Sequence, residues 1–218
     1  MGKPTIIEFT GHSGSGKSTY CNKVYHVFNS HKNIRMLNAT QKRNITLKFL
    51  LFHPFKVLSI ICLTIKLKPK RVKRYFKGLK RLIMLKSVYD YYGKHPAIYL
   101  EDEGYINKLR MLSYNKDKYT FCDIIQKVSK EIRLPNVLIY VFNTPENIVK
   151  NRKARDGVEI KSNKTNEDII NDRDYIFDCF KINNKINQNI KLFNVDNTLQ
   201  DEFDVNVQNL TYKLRKIF

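Results

Sequence analysis

Short apolar runs alternate along most of the chain with longer stretches in which apolar residues recur at helical spacing. The runs predict five β-strands, at residues 5–10, 34–39, 97–101, 137–142 and 191–195. Helical spacing predicts helices between them, notably at 17–29, 124–132 and 145–153. The run 137–142 has no charged residue, as expected of a strand buried on both faces. Strands that alternate with helices are typical of a doubly wound α/β fold with a parallel sheet.

Residues 42–93 interrupt this alternation. Residues 49–65 are mostly apolar, and Pro69 suits the first turn of a second helix that we expect to run to Tyr92 and end at Gly93. The second helix is amphipathic and strongly basic. A strongly basic amphipathic helix beside an apolar helix is typical of an element that binds an anionic membrane surface. Two helices packed on the sheet with solvated lysines fit the same pattern, and so does a homodimer contact.

The positive charge is concentrated in the same half of the chain. The 218 residues carry a formal net charge of +20, and residues 1–89 hold 19 Lys and Arg against one acid, Glu8. The positive electrostatic field of such a segment attracts polyanions, namely nucleic acid, anionic lipid headgroups or phosphorylated small molecules. The length fits one domain that spans 1–218, with 42–93 as a basic helical insertion.

The four cysteines are far apart in the sequence, at Cys21, Cys62, Cys122 and Cys179. This spacing argues against a zinc site and against a disulfide framework, and it fits a reducing cytosol. No signal peptide is expected, because the N-terminus leads directly into the first strand. The expected location is therefore the cytoplasm, with attachment to the inner face of the membrane if the insertion binds lipid.

A phosphate-binding loop follows the first predicted strand. Residues 11–18 match the pattern G-x-x-x-x-G-K-[ST] in full, between a strand and a helix as the pattern requires. Lys17 is expected to reach the β- and γ-phosphates of a bound nucleotide, and the Ser18 hydroxyl is expected to hold Mg²⁺. The predicted ATP-binding residues are Gly11, His12, Ser13, Gly14, Ser15, Gly16, Lys17, Ser18 and Thr19.

Acidic residues stand where the third predicted strand ends. A phosphoryl-transfer site needs a carboxylate to orient a Mg²⁺ water or to accept the proton of an attacking hydroxyl. Asp102 is favoured as metal ligand or base and Glu103 as substrate contact, with the reverse assignment left open. A solvated acidic turn is the alternative interpretation.

Two further groups complete the candidate site. Arg152 and Arg155 are three residues apart on a predicted helix, so that their guanidinium groups are on one side and can stabilise a transferring phosphoryl group. An exposed basic helix end is the simpler interpretation. Residues 152–173 are a candidate lid over the site. Asp196, just past the fifth strand, is a candidate contact for the nucleotide base, although a turn explains it equally well.

These motifs, in this order, resemble those of P-loop nucleoside and nucleotide kinases such as thymidylate kinases and deoxynucleoside kinases. The resemblance covers about residues 1–41 and 95–215. It implies a three-layer fold with a five-stranded parallel sheet in the order 2-3-1-4-5, and a lid that carries arginine. The Asp102-Glu103-Gly104 sequence also resembles P-loop kinase-like proteins of bacterial surface-polysaccharide pathways, which implies a sugar or lipid-linked glycan as acceptor.

The sequence therefore predicts a kinase that uses ATP and Mg²⁺ to phosphorylate a small molecule. A nucleotide-dependent switch or ATPase is a second hypothesis, although residues 115–118 lack the last position of a guanine-reading motif. A kinase that acts on nucleic acid through the basic insertion is a third. It is disfavoured because no nucleic-acid-binding motif is present and residues 49–65 are too apolar for a strand-tracking groove.

Overall fold

The computed structural model of the chain describes residues 4–29, 33–67, 72–113, 121–157, 166–184 and 190–217. Five strands form one parallel sheet: β1 (Thr5–Thr10), β2 (Ile34–Arg35), β3 (Ile98–Glu101), β4 (Val137–Phe142) and β5 (Lys191–Asp196). Their order across the sheet is β2-β3-β1-β4-β5. The predicted α/β class and the predicted strand order 2-3-1-4-5 are confirmed.

The described residues contain nine α-helices: α1 (Lys17–Asn29), α2 (Ala39–Phe52), α3 (Pro54–Lys66), α4 (Val72–Lys94), α5 (Tyr105–Ser113), α6 (Phe121–Ser129), α7 (Pro145–Asp156), α8 (Asn166–Asn184) and α9 (Phe203–Arg215). A single 3-10 turn, Gln200–Glu202, precedes α9. The bounds of α1 and β4 are those the apolar pattern predicts. Residues 158–165 of the candidate lid lie outside the described part of the chain, as does Pro69.

Helices cover both faces of the sheet. On one face α1 and α9 enclose a core with the side chains of Ile7, Phe9 and Val141. On the other face α4, α5, α6 and α8 enclose a larger core that also takes in the inner side of α3. The sheet is thus buried on both faces, as its continuous apolar strands require. The carboxyl ends of all five strands consequently meet at one edge, which is where the phosphate-binding loop begins.

The second strand is shorter than predicted. It ends at Arg35, and α2 begins at Ala39. Asn38 accounts for the difference, because its side chain accepts a hydrogen bond from the Gln41 backbone while the Gln41 side chain accepts one from the Asn38 backbone, both at 2.9 Å. This capping box starts a helix at a point where apolar content alone favours a strand.

The apolar stretch at 49–65, expected as one helix, is two. Helix α2 ends at Phe52, His53 leaves the helical conformation, and Pro54 opens α3. The two helices bend by 102°. Among the described residues no single helix has the length and apolar character to cross a membrane, and α2 with α3 satisfy that test only as a bent pair. Helix α4 includes Gly93 and ends at Lys94, one residue beyond the predicted stop.

The cysteines depart from the sequence-based expectation. Cys122 on α6 and Cys179 on α8 form a disulfide, whereas Cys21 is a buried free thiol and Cys62 an exposed one. The two bonded residues are 57 positions apart in sequence. Packing of α6 against α8 on the same face of the sheet brings them together. The sequence analysis argued only against a disulfide framework and did not foresee this single bond, because spacing along the chain carries no information about this helix–helix contact.

Candidate active site

The loop between β1 and α1 has the backbone that a phosphate-binding nest needs. Gly11, Gly14 and Gly16 have φ values of +146°, +94° and +92°, which residues other than glycine rarely adopt. A Cβ atom on Gly14 would lie 2.6 Å from the Ile148 carbonyl oxygen. The loop is therefore pressed against α7, and only glycine fits between them. Successive N–H groups in such a turn form a concave site for anions, at the positive end of α1.

Lys17 is the first residue of α1 and curls back toward the loop. Its Nζ is 3.5 Å from the carbonyl oxygen of His12. Burial lowers the pKa of Lys17, while the carboxylates of Glu103 and Asp102 act in the opposite direction. Because β1 and β3 are parallel neighbours, the loop lysine and the end of β3 lie at the same edge of the sheet, within electrostatic range of each other. The structure thus brings together Lys17, Asp102 and Glu103, which the sequence grouped only by motif order.

The three acids at the end of β3 differ in their surroundings. Glu101 is buried, accepts a 2.7 Å hydrogen bond from Lys42 Nζ, and also accepts one from the Tyr92 hydroxyl. Asp102 is half-buried and Glu103 is exposed. Because β3 ends at Glu101, Asp102 and Glu103 lie beyond the strand, and strand alternation does not decide which of them faces the loop. Glu101 is engaged by its ion pair with Lys42 and its hydrogen bond from Tyr92, so Asp102 and Glu103 are the better candidates for chemistry.

Helix α7 approaches the loop from β4. Thr144 caps its first turn by accepting a hydrogen bond from the Asn147 backbone, and Gly157 ends it with φ +66°. Asn151 donates to the Gly14 carbonyl oxygen at 2.9 Å, and Arg155 donates to the Ser13 hydroxyl at 3.2 Å. Such contacts hold the arginine-bearing end of α7 over the loop.

Arg152 lies one turn before the end of α7, close to Gly14. A Cβ atom on Gly14 would lie 2.9 Å from Arg152 Cγ. Its Nε is buried and has no hydrogen-bond partner among the described residues. A buried cationic donor without an acceptor is unfavourable unless an anion satisfies it. Arg152 therefore suits a site that receives phosphate.

Asp172 on α8 is a site residue that the sequence analysis missed. Its Oδ2 is 3.0 Å from His12 Nε2, 2.5 Å from Arg110 Nη2 and 3.3 Å from the Tyr140 hydroxyl. One carboxylate thus links the loop, α5, α8 and β4. An acid on an amphipathic helix carries no sequence signal that separates it from solvated acids, so this role was not predictable.

Glu8, in the middle of β1, is a second residue whose environment was missed. It is fully buried and accepts hydrogen bonds at 2.7 and 2.8 Å from the Tyr105 and Ile106 backbones at the start of α5. Burial raises the pKa of Glu8 to about 7, against the opposing effect of those hydrogen bonds. The sequence did contain a signal for this environment, because Glu8 is the one charged residue of β1 and lies among apolar neighbours.

A cavity of about 830 Å³ extends from the loop toward the start of α9. Its lining residues are Gly14, Gly16, Lys17, Ser18, Thr19, Asn143, Asn147, Lys150, Asn151, Arg155, Asn197, Thr198, Asp201, Phe203 and Asp204. Asp196, the predicted base contact, is not among them, because its Oδ1 accepts a hydrogen bond from the Thr198 backbone and closes the turn after β5. Its neighbours Asn197 and Thr198 face the cavity instead.

The described residues contain no group of three or more His, Cys, Asp or Glu placed to hold a metal ion. Mg²⁺ in nucleotide sites is held by one or two protein oxygens, by phosphate and by water, so such a group is not needed. Ser18 lines the cavity and Asp102 lies near Lys17. A hydroxyl and a carboxylate are oxygen ligands of the kind that Mg²⁺ takes, so the chemistry of these two residues fits a magnesium ion that arrives with a nucleotide.

No protein-family model matches this sequence, and no curated protein sequence is significantly similar to it. Among solved structures, the chain is similar to a thymidylate kinase from Ehrlichia chaffeensis, with 13% sequence identity and a TM-score of 0.48. The match covers 97% of this chain and 98% of that one. The fold of this chain rests on its own strand order and loop conformation.

Proposed function

We propose that this chain is a kinase that transfers the γ-phosphoryl group of ATP, with Mg²⁺, to a hydroxyl or phosphate group of a small molecule. One observation carries the proposal. The partly buried Lys17, the Asp102 and Glu103 carboxylates after β3 and the arginines of α7 surround one loop that its glycines bend. Phosphoryl transfer depends almost entirely on positioning and on electrostatic stabilisation, and these are the groups it uses.

The cations of the site provide the binding energy for phosphate. Lys17 is held in a partly buried position where water does not fully hydrate its charge. A phosphate oxygen that binds there supplies the electrostatic stabilisation that water does not. Arg155 already reaches the Ser13 hydroxyl and needs only a small shift to contact a phosphate on the loop. Arg152 offers a buried Nε that has no acceptor among the described residues. Together they place three positive charges where negative charge moves during transfer.

Asp102 and Glu103 are proposed to act on the acceptor and on the metal ion. A carboxylate close to Lys17 can accept the proton from an acceptor hydroxyl or orient a metal-bound water. Asp102 is the more buried of the two and is proposed as the metal ligand or base; Glu103, which is exposed, is proposed as the acceptor contact. When bound, Mg²⁺ neutralises charge on the β- and γ-phosphates.

The cavity beyond the loop suits a nucleotide base. It offers the side chains of Asn143, Asn147 and Asn197, together with the ring of Phe203. Amide groups can donate to and accept from the polar edge of a base, and an aromatic ring packs on its face. Asn147 donates to Asn143 Oδ1 at 2.9 Å and to the Thr198 carbonyl oxygen at 3.0 Å, so this wall is pre-ordered.

The acceptor is proposed to bind at the β1–β3 side of the loop, where Asp102 and Glu103 lie. Arg81 on α4 lies near Glu103, whose carboxylate opposes the lowering of the Arg81 pKa by burial. A cation beside the proposed acceptor contact favours an acceptor that carries negative charge. Among the acceptors that the sequence resemblance implies, it therefore favours a nucleotide or a phosphate-bearing lipid-linked glycan over a neutral nucleoside or sugar.

The test is a two-part experiment on the purified chain. Calorimetry with Mg–ATP, and separately with Mg–GTP, measures whether a triphosphate binds. ATP labelled at the γ-phosphate is then incubated with nucleosides, nucleoside monophosphates, sugars and an RNA oligonucleotide, and labelled products are separated. The proposal expects heat of binding and a labelled small molecule. Label recovered only as inorganic phosphate identifies an ATPase or switch, labelled RNA identifies a nucleic-acid kinase, and no heat with either nucleotide refutes all three.

A further inference from the structure

Helix α3 is apolar on two opposite faces, and only one of them is covered. Its inner face packs against the core through the buried side chains of Ile60 and Leu63. Its outer face has Phe55, Leu58 and Ile65, exposed to 85%, 56% and 55%. A helix that is packed on one side and apolar on the other requires a second apolar environment.

The end of α2 continues this outer surface. Leu50, Leu51 and Phe52 occupy its last turn and are exposed to 40%, 76% and 72%. Because α2 and α3 bend by 102° at His53, the exposed side chains of Phe52 and Phe55 stand on either side of the corner. We define the corner patch as Leu47, Leu50, Leu51, Phe52, Phe55, Leu58 and Ile65.

Phe49 holds the corner in place from the inside. Its ring is buried and lies 5.2 Å from the His53 ring, and its carbonyl oxygen accepts a hydrogen bond from the His53 backbone. Helix α3 is further tied to α4, because Lys56 Nζ lies 2.7 Å from Asp90 Oδ2. The exposed apolar residues therefore project from a rigid corner that the fold supports.

The charge along the segment that carries the corner patch is almost entirely positive, and the neighbouring acid from outside it, Glu131, accepts a hydrogen bond from Ser59 on α3 at 3.2 Å. Residues 39–94 contain 15 Lys and Arg and a single acid, Asp90. Asp90 is half-buried between Lys56 and Lys86, so its charge is already matched within the protein. The cations that remain exposed on α2, α3 and α4 include Arg43, Lys48, Lys66, Lys77 and Lys80.

We propose that the corner patch and its basic surroundings dock this chain onto an anionic phospholipid bilayer, with the Phe52–Phe55 corner inserted at the headgroup–acyl boundary. Exposed aromatic and leucine side chains supply the apolar burial, and the surrounding lysines are attracted to anionic headgroups. A second copy of the chain is a poorer occupant, because a twofold contact would bring two basic surfaces together. Nucleic acid would satisfy the cations and leave the phenylalanine and leucine side chains in water.

The experiment is flotation of the purified chain with lipid vesicles at physiological salt. One set of vesicles is phosphatidylcholine alone, and the other contains about 30% phosphatidylglycerol to reproduce an anionic leaflet. The chain is expected to float with the anionic vesicles, and added salt is expected to weaken the binding because it screens the lysines. Failure to float with anionic vesicles overturns the proposal.

Two variants distinguish binding through the corner patch from nonspecific binding through other exposed apolar side chains. Phe52→Ser/Phe55→Ser is expected to reduce partitioning to anionic vesicles by about tenfold or more, since two exposed aromatic anchors are lost. Val205→Ser/Tyr212→Ser removes two exposed apolar side chains from α9, on the opposite layer, and is expected to bind like the unmodified chain. Equal loss in both variants overturns the assignment of the patch.

The same variants test the competing occupant. Light scattering reports whether the unmodified chain is a dimer that Phe52→Ser/Phe55→Ser dissociates; that result, without flotation, assigns the patch to a homodimer and overturns the proposal. Thermal unfolding of the variant serves as the folding control, because it reports on the fold without relying on nucleotide binding. Docking and catalysis can therefore fail independently.

Discussion

Asn197 donates from Nδ2 to the carbonyl oxygen of Ser15 at 2.8 Å, and the same nitrogen lies 2.5 Å from the position that a Cβ atom on Gly16 would occupy. The loop after β5 is thereby tied to the phosphate-binding loop. The base side of the cavity and its phosphate side share this contact, so a disturbance of one is transmitted to the other.

Substitution of Gly16 is expected to damage both the fold and nucleotide binding. In Gly16→Ala the new methyl group must displace Asn197, and the backbone at φ +92° is strained for alanine in any case. We expect a loss of about 1–3 kcal/mol in the free energy of unfolding and weaker Mg–ATP binding, measured by thermal unfolding and calorimetry. Gly93→Ala is the control, because nothing lies within 4 Å of its added Cβ; a gain of about 0.5 kcal/mol is expected there. Unchanged nucleotide affinity in Gly16→Ala would contradict the role assigned to the loop.

Lys17→Ala is expected to lower phosphoryl transfer by at least about 10²-fold, because it removes a preorganised cation from the site of developing charge. The thermal unfolding temperature should change little or rise, since a partly buried cation is lost. Initial rates with labelled ATP and the acceptor found in the panel provide the measurement. Lys213→Ala, which removes an exposed lysine from α9, is the matched control and should retain full activity. Full activity in Lys17→Ala would remove the basis for a kinase.

Features that depend on local sequence were predictable. The loop pattern at 11–18 and the apolar run at 137–142 are contiguous in the chain, and their physical requirements are met within each segment. From these and the remaining strand–helix alternation, the fold class and the strand order implied by the resemblance could be stated in advance. Two predicted boundaries were wrong because a stronger local signal was overlooked. The Asn38 capping box ends the second strand early, and Pro54 starts a new helix inside the apolar stretch.

Features that depend on tertiary packing were not predictable from spacing. Asp172 reaches His12, 160 positions away in the sequence, only because α8 packs against β4. Cys122 meets Cys179 for a similar reason. In a single sequence, an acid or a cysteine on a helix has the same pattern whether it faces water or a partner.

Asp172→Ala is expected to lower the free energy of unfolding by about 1–3 kcal/mol, because groups on three other elements lose a shared acceptor. Loss of the His12 contact is also expected to weaken Mg–ATP binding. Asp178→Ala on the same helix is the control. Its pair with Lys181 is exposed, so a change of less than about 0.5 kcal/mol is expected. Denaturant unfolding and calorimetry measure both effects, and equal stability of the two variants would show that the network is unimportant.

Glu8 is expected to make stability fall as the pH rises from about 4.5 to about 7. Burial raises its pKa to about 7 in the folded chain, against 4.5 for an unperturbed glutamate. Within this window the unfolded chain has released the proton while the folded chain retains it, so the free energy of unfolding decreases with pH by about 3 kcal/mol and then levels off. Urea unfolding at several pH values measures the slope.

The Glu8→Gln variant isolates that contribution, because it cannot ionise. Its pH profile between 4.5 and 7 is expected to be flatter than that of the unmodified chain, whatever its absolute stability. Glu146→Gln, at an exposed position in the first turn of α7, should retain the original profile. Identical slopes in Glu8→Gln and the unmodified chain would mean that Glu8 titrates near its ordinary pKa.

The disulfide between α6 and α8 makes a prediction about thiol counts. Native protein should show one reactive thiol, Cys62, and denatured protein should show two, because Cys21 then becomes accessible; reductant should raise the count to four. Cys122→Ser/Cys179→Ser is expected to lose about 2–5 kcal/mol of unfolding free energy, since the cross-link closes a long loop in the unfolded chain. Cys62→Ser, at an exposed free thiol, is the control and should unfold like the original. Four thiols in denatured protein that has never met a reductant would show that α6 and α8 are held by packing alone.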